Sequence, residues 1–426
     1  MRILLEQSGY PLNNMGDLAM LQTAVTRLNC FWSDASIQVI TTAPEKLAEI
    51  CPNTQPLSPL GRQIWFSPFV TRLHQLFPKC RATELWTEIE WAFRRKAPSL
   101  VRSFLDFKLR KRFPESAKNL EAFMEAIYNA DLVVACGGGY ITDVFKQHAI
   151  SAINTLELAN RLGKPTVMLG QGLGPLRDQE LLARVKAVLP SIDLIALREK
   201  RAGVPILNSI GISQERMIIT GDDAIELAYQ ARTSKLDIGI GVNLRVSGYS
   251  NISPDLLEEV RVVLQNAAEQ FRAPLIPVPI SHNAFGSELS DSMTIQKLLK
   301  GYNDRADGGQ HLDTPIKVIN QVGRCRVVVT GSYHAGVFAL AQGIPIVGLV
   351  KSEYYADKFL GLTDQFGVGC VVVRLNEGQL REKLLASINN AYKASEQLRP
   401  QILEAARQQI DLGWTAYKRM YKLVKS

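Results

Sequence analysis

The sequence lacks an uninterrupted apolar segment long enough to cross a membrane. The charge-free stretch at residues 327–350 reaches the required length of about 20 residues, but glycine, proline and polar residues interrupt it. The first apolar run of the chain is too short for a signal peptide. Six scattered cysteines form no CxxC pair, which argues against a zinc site and against a disulfide framework. We therefore expect a protein of the reducing cytoplasm without a bound metal.

The sequence also lacks the common nucleotide-binding fingerprints. Neither the GxGxxG pattern nor the P-loop pattern GxxxxGK[ST] occurs, so we expect no NAD, FAD or ATP cofactor. The net charge of +8 is concentrated in residues 94–112, where eight cations face only Asp106, a local charge of 8 − 1 = +7. A nucleic-acid binder would be basic more uniformly, so no nucleic-acid partner is expected.

The charge-free stretch divides into three short elements. Residues 326–330 predict a buried strand, His334 begins a short apolar helix that ends before Gly343, and residues 344–350 predict the next strand. Similar strand–loop–helix units recur along the chain, and they predict parallel sheets with helices on both faces. The predicted fold is α/β, with two Rossmann-like domains facing a central cleft and a helical C-terminal tail.

Interruptions of this pattern predict the domain boundaries. Residues 1–232 are expected to form an N-terminal domain that carries an aromatic, basic and helical insertion at about 60–114. Residues 233–400 are expected to form the second domain. Residues 401–426 are expected to form a C-terminal helix that packs back on the first domain.

Polar and glycine-rich loops follow several of the predicted strands. Gly137, Gly138 and Gly139 follow one strand, and the loop 170–175 follows another, so the backbone can approach a ligand there. Ligands of open α/β sheets bind at the carboxyl ends of strands, and anions bind at helix N-termini. The loops therefore favour an anionic ligand, although glycine is also common in simple turns.

Four charged or titratable residues lie at such loop ends. His334 follows a strand at the start of a helix, where it either faces a ligand or only caps and packs. Asp17 directly precedes an apolar helix, and its more common alternative role is that of an N-cap. Arg198 and Arg245 end apolar strands, where an unpaired charge is costly, so each should meet a carboxylate or a ligand.

In order and spacing, these loops resemble those of the polysaccharide pyruvyl transferase family. The resemblance covers nearly the whole chain apart from the insertion at 60–114. The residues that carry it are Asn14, Gly16, Asp17, Gly137, Gly138, Gly139, Gln171, Arg198, Glu199, Asp222, Asp223, Asn243, Arg245, His334 and Lys358.

The resemblance implies both a fold and a reaction. Members have a glycosyltransferase-B-like fold and transfer the carboxyvinyl group of phosphoenolpyruvate to a saccharide, usually as a cyclic ketal across two hydroxyls. Phosphoenolpyruvate would be the co-substrate, no cofactor would be needed, and the acceptor would be a free or lipid-linked saccharide of a capsule, exopolysaccharide or cell wall. Proton transfer suits a group that titrates near neutral pH, which makes His334 the catalytic candidate together with Asp17.

The resemblance also assigns the other candidate residues to two substrates. The expected donor-binding residues are Arg198, Ser332, Lys358, Arg245, Gly137, Gly138, Gly139 and Gln171. The expected acceptor-binding residues are Asn14, Gly16, His282 and Asn243. Of these, His282 is equally typical of a surface loop.

One position departs from the family pattern. The family has Arg-Leu-His where this chain has Ser332, Tyr333 and His334, so a donor-binding arginine is replaced by an uncharged serine. Either another cation compensates or the donor differs. The candidate cations are Arg198, Arg245, Lys351 and Lys358. Two alternatives therefore stay open, a glycosyltransferase that uses a nucleotide sugar in the same cleft and a family member without catalysis.

The basic insertion has two interpretations. Phe93, Leu100, Phe104 and Phe107 approximate one helical stripe with cations around it. The stripe could contact the inner face of a membrane through residues 94–112. The more common alternative packs the aromatic rings on the N-terminal domain and leaves a solvated basic face. The sequence also leaves open whether the chain forms a homo-oligomer.

Overall fold

The protein contains two parallel β-sheets. The computed structural model describes residues 1–67, 81–245, 253–282 and 290–425, and for residues 81–88 it describes only the backbone. The N-terminal strands are β1 (Arg2–Glu6), β2 (Ser36–Ile40), β3 (Thr54–Leu57), β4 (Leu132–Ile141), β5 (Thr166–Leu173), β6 (Leu194–Leu197) and β7 (Met217–Ile219). The C-terminal strands are β8 (Gly239–Asn243), β9 (Leu275–Pro277), β10 (Cys325–Thr330), β11 (Ile346–Val350) and β12 (Cys370–Arg374). Within these described ranges the strand orders are β3-β2-β1-β4-β5-β6-β7 and β12-β11-β10-β8-β9.

Helices connect the strands and cover the sheets. In the N-terminal half they are α1 (Met15–Phe31), α2 (Pro44–Ile50), α3 (Pro59–Phe66), α4 (Arg81–Lys96), α5 (Pro98–Arg110), α6 (Pro114–Asn129), α7 (Lys146–Arg161), α8 (Gln179–Val188), α9 (Gly203–Ser209) and α10 (Ala224–Gln230). In the C-terminal half they are α11 (Pro254–Phe271), α12 (Asp291–Leu299), α13 (Pro315–Val322), α14 (Tyr333–Ala341), α15 (Glu353–Phe366) and α16 (Leu380–Lys425). Many helices begin with proline, which has no N–H to leave unpaired in the first turn.

The parallel sheets are buried on both faces, as the apolar strands predicted. Every residue of β11 is buried, as is every residue of β5. Such strands occur where helices cover both sides of a parallel sheet. The predicted α/β class with two parallel sheets and a helical C-terminal region is therefore confirmed.

The glycine loops differ from the prediction, because two strands continue through them. β4 does not end at Cys136 but extends to Ile141, and β5 extends to Leu173. Gly138 pairs with Gln171, so hydrogen bonds between the neighbouring strands hold the segment in the sheet. The glycines therefore lie inside a bulged strand and not in a free loop.

The C-terminal helix also differs from the prediction. The expected boundary at residue 400 lies inside α16, which continues through Pro400 as one helix of 46 residues. Its first part buries Leu384 and Ile388 beside the C-terminal sheet. Its second part buries Tyr417 and Met420 in the cluster that contains α1 and α10. Apolar packing on both sides of Pro400 explains why the helix continues, while Ser426 lies outside the described residues.

The insertion is helical in its described part, and residues 68–80 lie outside that part. The interpretation that its aromatic stripe packs on the N-terminal domain is wrong. The exposed fractions are 58% for Phe93, 67% for Leu100, 57% for Phe104 and 67% for Phe107. Val101 and Leu105 are buried instead, because the adjacent face of α5 packs on α6.

One cation of the basic segment is not on its surface. Arg94 is buried, and its guanidinium hydrogen bonds to Glu90 and to the carbonyl oxygens of Trp65 and Ser67. Across the described ranges, no helix combines the length and the apolar character required to cross a bilayer.

Candidate functional site

A cavity of about 330 Å³ lies between the two sheets and is lined by both halves of the chain. The N-terminal wall includes Ser8, Tyr10, Asn14, Asp17, Gly139, Tyr140, His148 and Arg198. The C-terminal wall includes Arg245, Asp291, Ser332, Tyr333, His334, Tyr354, Tyr355 and Lys358. These residues lie at or beyond the carboxyl ends of strands, where open α/β sheets bind ligands.

The two walls are joined by backbone hydrogen bonds. The N–H of Met15 donates to the carbonyl of Ile280 at 2.8 Å, and the N–H of His282 donates to the carbonyl of Asn13 at 3.0 Å. Asn14 and Ser281 form an isolated antiparallel bridge between these contacts. The start of α1 is therefore held against the loop that follows β9.

His334 lies in the first turn of α14 and faces the N-terminal wall. Its Nε2 lies 3.6 Å from Oδ2 of Asp222, which is an ion-pair distance when the ring is protonated but too long for a hydrogen bond. The ring packs directly on the backbone of Gly16, where a Cβ atom would overlap it. Gly16, expected to bind the acceptor, thus makes room for the catalytic candidate.

Asp222 pairs with two groups that line or approach the cavity. Its Oδ2 lies 3.3 Å from Nη1 of Arg198, and both side chains are buried. Burial opposes ionisation, but the nearby His334 and Arg198 hold the pKa of the Asp222 carboxyl below its ordinary value. Arg198 thus meets a carboxylate, as expected, but the partner is Asp222 and not the neighbouring Glu199, whose carboxylate accepts the N–H of Ala202.

Arg198 and Lys358 approach the same backbone segment at Gly139. A Cβ atom on Gly139 would overlap the guanidinium of Arg198 and would lie 3.3 Å from Nζ of Lys358. Lys358 donates a hydrogen bond to the Tyr354 hydroxyl and lies 4.0 Å from the centre of that ring. Burial and the charge of Arg198 hold the pKa of Lys358 well below its ordinary value. An anion bound in the cleft would favour the charged form of Lys358 and so oppose both the effect of burial and the repulsion from Arg198.

Arg245 and Asn243 are both bound to Asp291. Arg245 lines the cavity, and its Nη1 lies 3.0 Å from Oδ1 of Asp291. Asn243 is buried and donates to Asp291 and to the carbonyl of Val278 at 3.0 and 2.9 Å. Asn243, expected to bind the acceptor, therefore lies outside the cavity lining and holds the loop after β9 in place.

Asp17 is not the N-cap of its helix. α1 begins at Met15, three residues before the predicted start at Leu18, and Asn14 is the cap. The side-chain oxygen of Asn14 accepts hydrogen bonds from the N–H groups of Gly16 and Asp17 at 2.9 and 3.2 Å. The carboxylate of Asp17 is therefore released from a capping role and lines the cavity.

Ser332 lines the cavity directly before His334. It is the N-cap residue of α14, but its hydroxyl makes no capping hydrogen bond. Its N–H donates to Oγ1 of Thr330 at 2.8 Å, which fixes the turn between strand and helix.

Besides Gly16 and Asn243, four expected site residues do not line the cavity. Gly137 and Gly138 have φ angles of 21° and 135°, and added Cβ atoms would crowd Met20 and Ser8. Their absence of side chains lets β4 pass between these neighbours. Of the original glycine triplet, only Gly139 reaches the cavity.

Gln171 and His282 are the other two. Gln171 is buried, and its Nε2 donates to the Ala135 carbonyl and the Tyr140 hydroxyl at 3.0 and 3.2 Å. The Nε2 of His282 lies 3.0 Å from the carbonyl oxygen of Leu312. Both side chains support the backbone around the cleft.

Sequence reasoning missed the aromatic part of the lining. Tyr10, Tyr140, His148, Tyr354 and Tyr355 all line the cavity. A weak signal existed for Tyr354, which precedes Lys358 by one helical turn. Among the described residues, no group of three or more His, Cys, Asp or Glu side chains could hold a metal ion.

Solved structures with the same architecture have little sequence identity to this chain. A putative UDP-N-acetylglucosamine 2-epimerase from Listeria monocytogenes matches with a TM-score of 0.55 and 12% identity, over 100% of this chain and 95% of that one. A UDP-GlcNAc 2-epimerase from Neisseria meningitidis, bound to UDP-GlcNAc, matches with a TM-score of 0.53 and 10% identity over 100% of both chains. Anabaena Alr3699/HepE, in complex with UDP and glucose, matches with a TM-score of 0.51 and 15% identity over 100% and 99%. These likenesses establish the glycosyltransferase-B-like fold.

Sequence comparison identifies a family. No curated protein sequence matches the chain significantly. The family model for polysaccharide pyruvyl transferases matches residues 14–352. This range begins at the cap of α1 and includes most of both cleft walls, but not Ser8 and Tyr10 before it or Tyr354, Tyr355 and Lys358 after it. The chain therefore belongs to the polysaccharide pyruvyl transferase family.

Proposed function

We propose that this protein transfers the pyruvyl group of phosphoenolpyruvate to two hydroxyls of a saccharide and forms a pyruvate ketal. The observation that carries the proposal is the pair of cations, Arg198 and Lys358, that flanks Gly139 beside His334 in one cleft. Phosphoenolpyruvate carries a phosphate and a carboxylate, which bind best to charged hydrogen-bond donors.

Lys358 is the cation that best replaces the arginine missing at position 332. Arg245 is paired with Asp291 at 3.0 Å, and Arg198 is paired with Asp222. Among the described residues, Lys358 hydrogen bonds only to the uncharged Tyr354 hydroxyl, and its half-buried amino group lies beside Arg198 at Gly139. The first-turn N–H groups of α14, near Ser332, add further donors for an anion.

The proposed reaction needs proton transfers on both substrates. The methylene carbon of phosphoenolpyruvate gains one proton, and the central carbon forms bonds to two hydroxyl oxygens as its bond to the phosphate oxygen breaks. The two hydroxyls together lose two protons. One replaces the proton that the methylene carbon gained, and the other leaves with the phosphate. His334 is the candidate proton donor; its Nε2 lies 3.6 Å from Oδ2 of Asp222, and Asp17 lines the same cavity.

The test is a donor assay with mass detection. The protein is incubated with phosphoenolpyruvate and a panel of glycosides, and phosphate release and ketal formation are measured. We expect both products in equal amounts, and we expect phosphoenolpyruvate to raise the melting temperature. A clear thermal shift with UDP or GDP and none with phosphoenolpyruvate would instead support the nucleotide-sugar glycosyltransferase.

A rescue experiment tests the role of Lys358. Lys358→Met should weaken the apparent affinity for phosphoenolpyruvate roughly 10- to 100-fold, because a charged hydrogen bond contributes about 1.5–3 kcal/mol. Adding Ser332→Arg to that variant should restore part of the affinity. Lys118→Met, which changes an exposed lysine on α6, is the matched control. Unchanged donor affinity in Lys358→Met would contradict the assignment.

We also propose that the exposed face of the insertion contacts an anionic membrane, where lipid-linked saccharides are found. Leu100, Phe104 and Phe107 are spaced by three or four residues and project from one side of α5. Exposed cations adjoin them, and Nζ of Lys111 lies 5.3 Å from the Phe107 ring centre. Apolar rings with flanking cations are typical of helices that lie in a bilayer interface.

Vesicle sedimentation tests this contact. The protein should sediment at low salt with vesicles that contain phosphatidylglycerol and not with pure phosphatidylcholine vesicles. The double variant Leu100→Gln, Phe107→Gln should lose this binding, whereas Ile316→Gln, an exposed apolar position of the other domain, should keep it. If the wild-type protein does not sediment with anionic vesicles, the membrane contact is refuted.

A further inference from the structure

An aromatic cluster on the N-terminal wall of the cavity has no part in the donor site described above. His148, near the start of α7, packs between two tyrosines. Its ring centre lies 4.7 Å from that of Tyr10 and 4.8 Å from that of Tyr140, which it meets edge-on at 88°. All three line the same cavity as His334, but they belong to the opposite wall.

One nitrogen of His148 is without a protein partner. Within the described part of the chain, Nε2 is buried and makes no hydrogen bond. The ring does hydrogen bond to the backbone of Gln7, which leaves Nδ1 as the atom that makes this bond. Buried polar atoms are almost always satisfied by protein, water or ligand, so the lone pair of Nε2 requires an occupant.

The surroundings of His148 favour its neutral form. Burial lowers the pKa of His148 below its ordinary value. Glu6 on β1 and Asp17 on α1 oppose that shift, whereas Arg62 on α3 strengthens it. Tyr10 and Tyr140 present uncharged rings, because burial raises the pKa of each phenol well above its ordinary value. A neutral imidazole can accept a proton at neutral pH.

The same wall has surfaces that suit a sugar ring. Phe145, which is 39% exposed, contributes an aromatic ring in the turn just before α7, and Tyr10, held between His148 and Arg62, lines the same wall. Aromatic rings combine an apolar face with little conformational freedom to lose. A pyranose has apolar C–H faces and hydroxyls at its rim, so it matches rings beside one hydrogen-bond acceptor.

We propose that His148, Tyr10 and Phe145 form the saccharide-acceptor subsite, in which Nε2 of His148 takes the proton of the attacking hydroxyl. The inference rests on the proposed pyruvyl transfer. As the hydroxyl oxygen bonds to the central carbon of the donor, its proton moves to Nε2. His334, on the opposite wall, supplies the proton that the methylene carbon gains. The second hydroxyl returns a proton to His334 as its oxygen bonds to the central carbon and the bond to the phosphate oxygen breaks. The proton held by His148 leaves with the inorganic phosphate, which returns the imidazole to its neutral form.

Two variants of His148 test the proposal in the full-length protein. His148→Phe keeps a ring between Tyr10 and Tyr140 but removes both nitrogens. We expect kcat for ketal formation to fall about 10²- to 10⁴-fold, the range typical of a lost general base. The thermal shift with phosphoenolpyruvate should be unchanged, because the donor cations are intact. For His148→Ala, added imidazole should restore part of the activity, which a merely structural role would not allow.

The outcomes separate this inference from the proposed function. Suppose that no glycoside of the panel causes the wild-type protein to release phosphate from phosphoenolpyruvate, and that phosphoenolpyruvate gives no thermal shift. The proposed function then fails, and this inference fails with it. If wild type is active and His148→Phe keeps the wild-type kcat, only the role of His148 is refuted. A folded His148→Ala variant that loses activity without imidazole rescue would also refute proton transfer, and circular dichroism establishes that each variant is folded.

Discussion

The position of His334 depends on a neighbouring residue that has no side chain. Gly16, in the first turn of α1, contacts the imidazole ring from the N-terminal half of the chain. Its role is steric, since any Cβ atom there would occupy the space of the ring. In the family pattern after β1, Asn14 caps α1, Gly16 leaves space for the His334 ring, and Asp17 adds a carboxylate to the cavity lining.

At this scale, Gly16→Ala should reduce catalysis more than it reduces stability. The added methyl group displaces the His334 ring, and overpacking of this kind costs about 1–3 kcal/mol. We expect the rate of ketal formation to fall at least about tenfold, since a small misplacement of a catalytic group has large effects on rate. Gly378→Ala is the control, because no atom lies within 4 Å of the added Cβ. Equal activity of the two variants would contradict the steric role.

A second residue-scale prediction concerns Asp222. Asp222→Asn leaves the buried Arg198 without its carboxylate, so the free energy of unfolding should fall by about 3 kcal/mol near neutral pH. The pKa of Asp222 in the folded protein is below its ordinary value of 3.8, so its stabilisation is present above that pH and is lost as the pH falls through the folded-state value.

Urea denaturation across pH checks this prediction. The difference between wild type and Asp222→Asn should be largest near neutral pH and should shrink below about pH 4, because the wild-type carboxyl then becomes protonated as well. A difference that stays constant over the whole pH range would show that the loss comes from packing and not from charge.

At the scale of elements, the helix α16 connects the two halves of the molecule. Its C-terminal part places Tyr417 beside two buried charges of the N-terminal half. The guanidinium of Arg27 lies 5.0 Å from the Tyr417 ring centre, and the Tyr417 hydroxyl lies 3.5 Å from Oδ2 of Asp223. Arg27 also bonds to Asp223 and Glu226 at 2.7 Å each. The helix therefore covers a buried ion-pair cluster as well as apolar surface.

Tyr417→Ala should lower the free energy of unfolding by about 3 kcal/mol or more. The substitution leaves a cavity at a position that is only 1% exposed and uncovers the Arg27 pair. Leu412→Ala changes an exposed residue of the same helix, and its effect should stay within about 0.5 kcal/mol. Both values can be measured by urea denaturation. Similar losses in the two variants would contradict the role of burial at Tyr417.

At the scale of the whole molecule, the cleft joins side chains that are far apart in the chain. Arg198 follows β6 of the N-terminal sheet, whereas His334 and Lys358 follow strands of the C-terminal sheet. A donor anion that contacts all three must therefore connect the two halves. The backbone bonds between the start of α1 and the loop after β9 hold the walls close enough for this.

Hydrogen exchange should show protection on both walls when phosphoenolpyruvate binds. We expect slower exchange at the end of β4 and in the first turn of α14, because the ligand restrains both segments. α6, which does not line the cavity, should exchange at an unchanged rate. Protection confined to one wall would contradict a donor site shared between the halves.

The sequence by itself determined the sheet class and most of the loops that form the cleft. Buried parallel strands are almost wholly apolar, so β10 and β11 are visible without a structure. Helix starts are also visible where a cap or proline precedes an apolar run, as at Pro254–Phe271. His334, Arg198 and Lys358 could be predicted as a group because each follows such a strand, and the order of these loops resembles one family.

Only the tertiary structure decided which residues contact each other across the cleft. Asp222 is the partner of Arg198, and Gln171 and His282 bond to backbone carbonyls instead of lining the cavity, because strand registers and loop paths determine these contacts. The exposure of the aromatic face of α5 likewise depends on which side of the helix packs on α6. His148 gives no sequence signal, since its chemistry arises from burial between Tyr10 and Tyr140. Long-range contacts therefore determine the proton chemistry of this site, whereas local apolar patterns determine the framework that holds it.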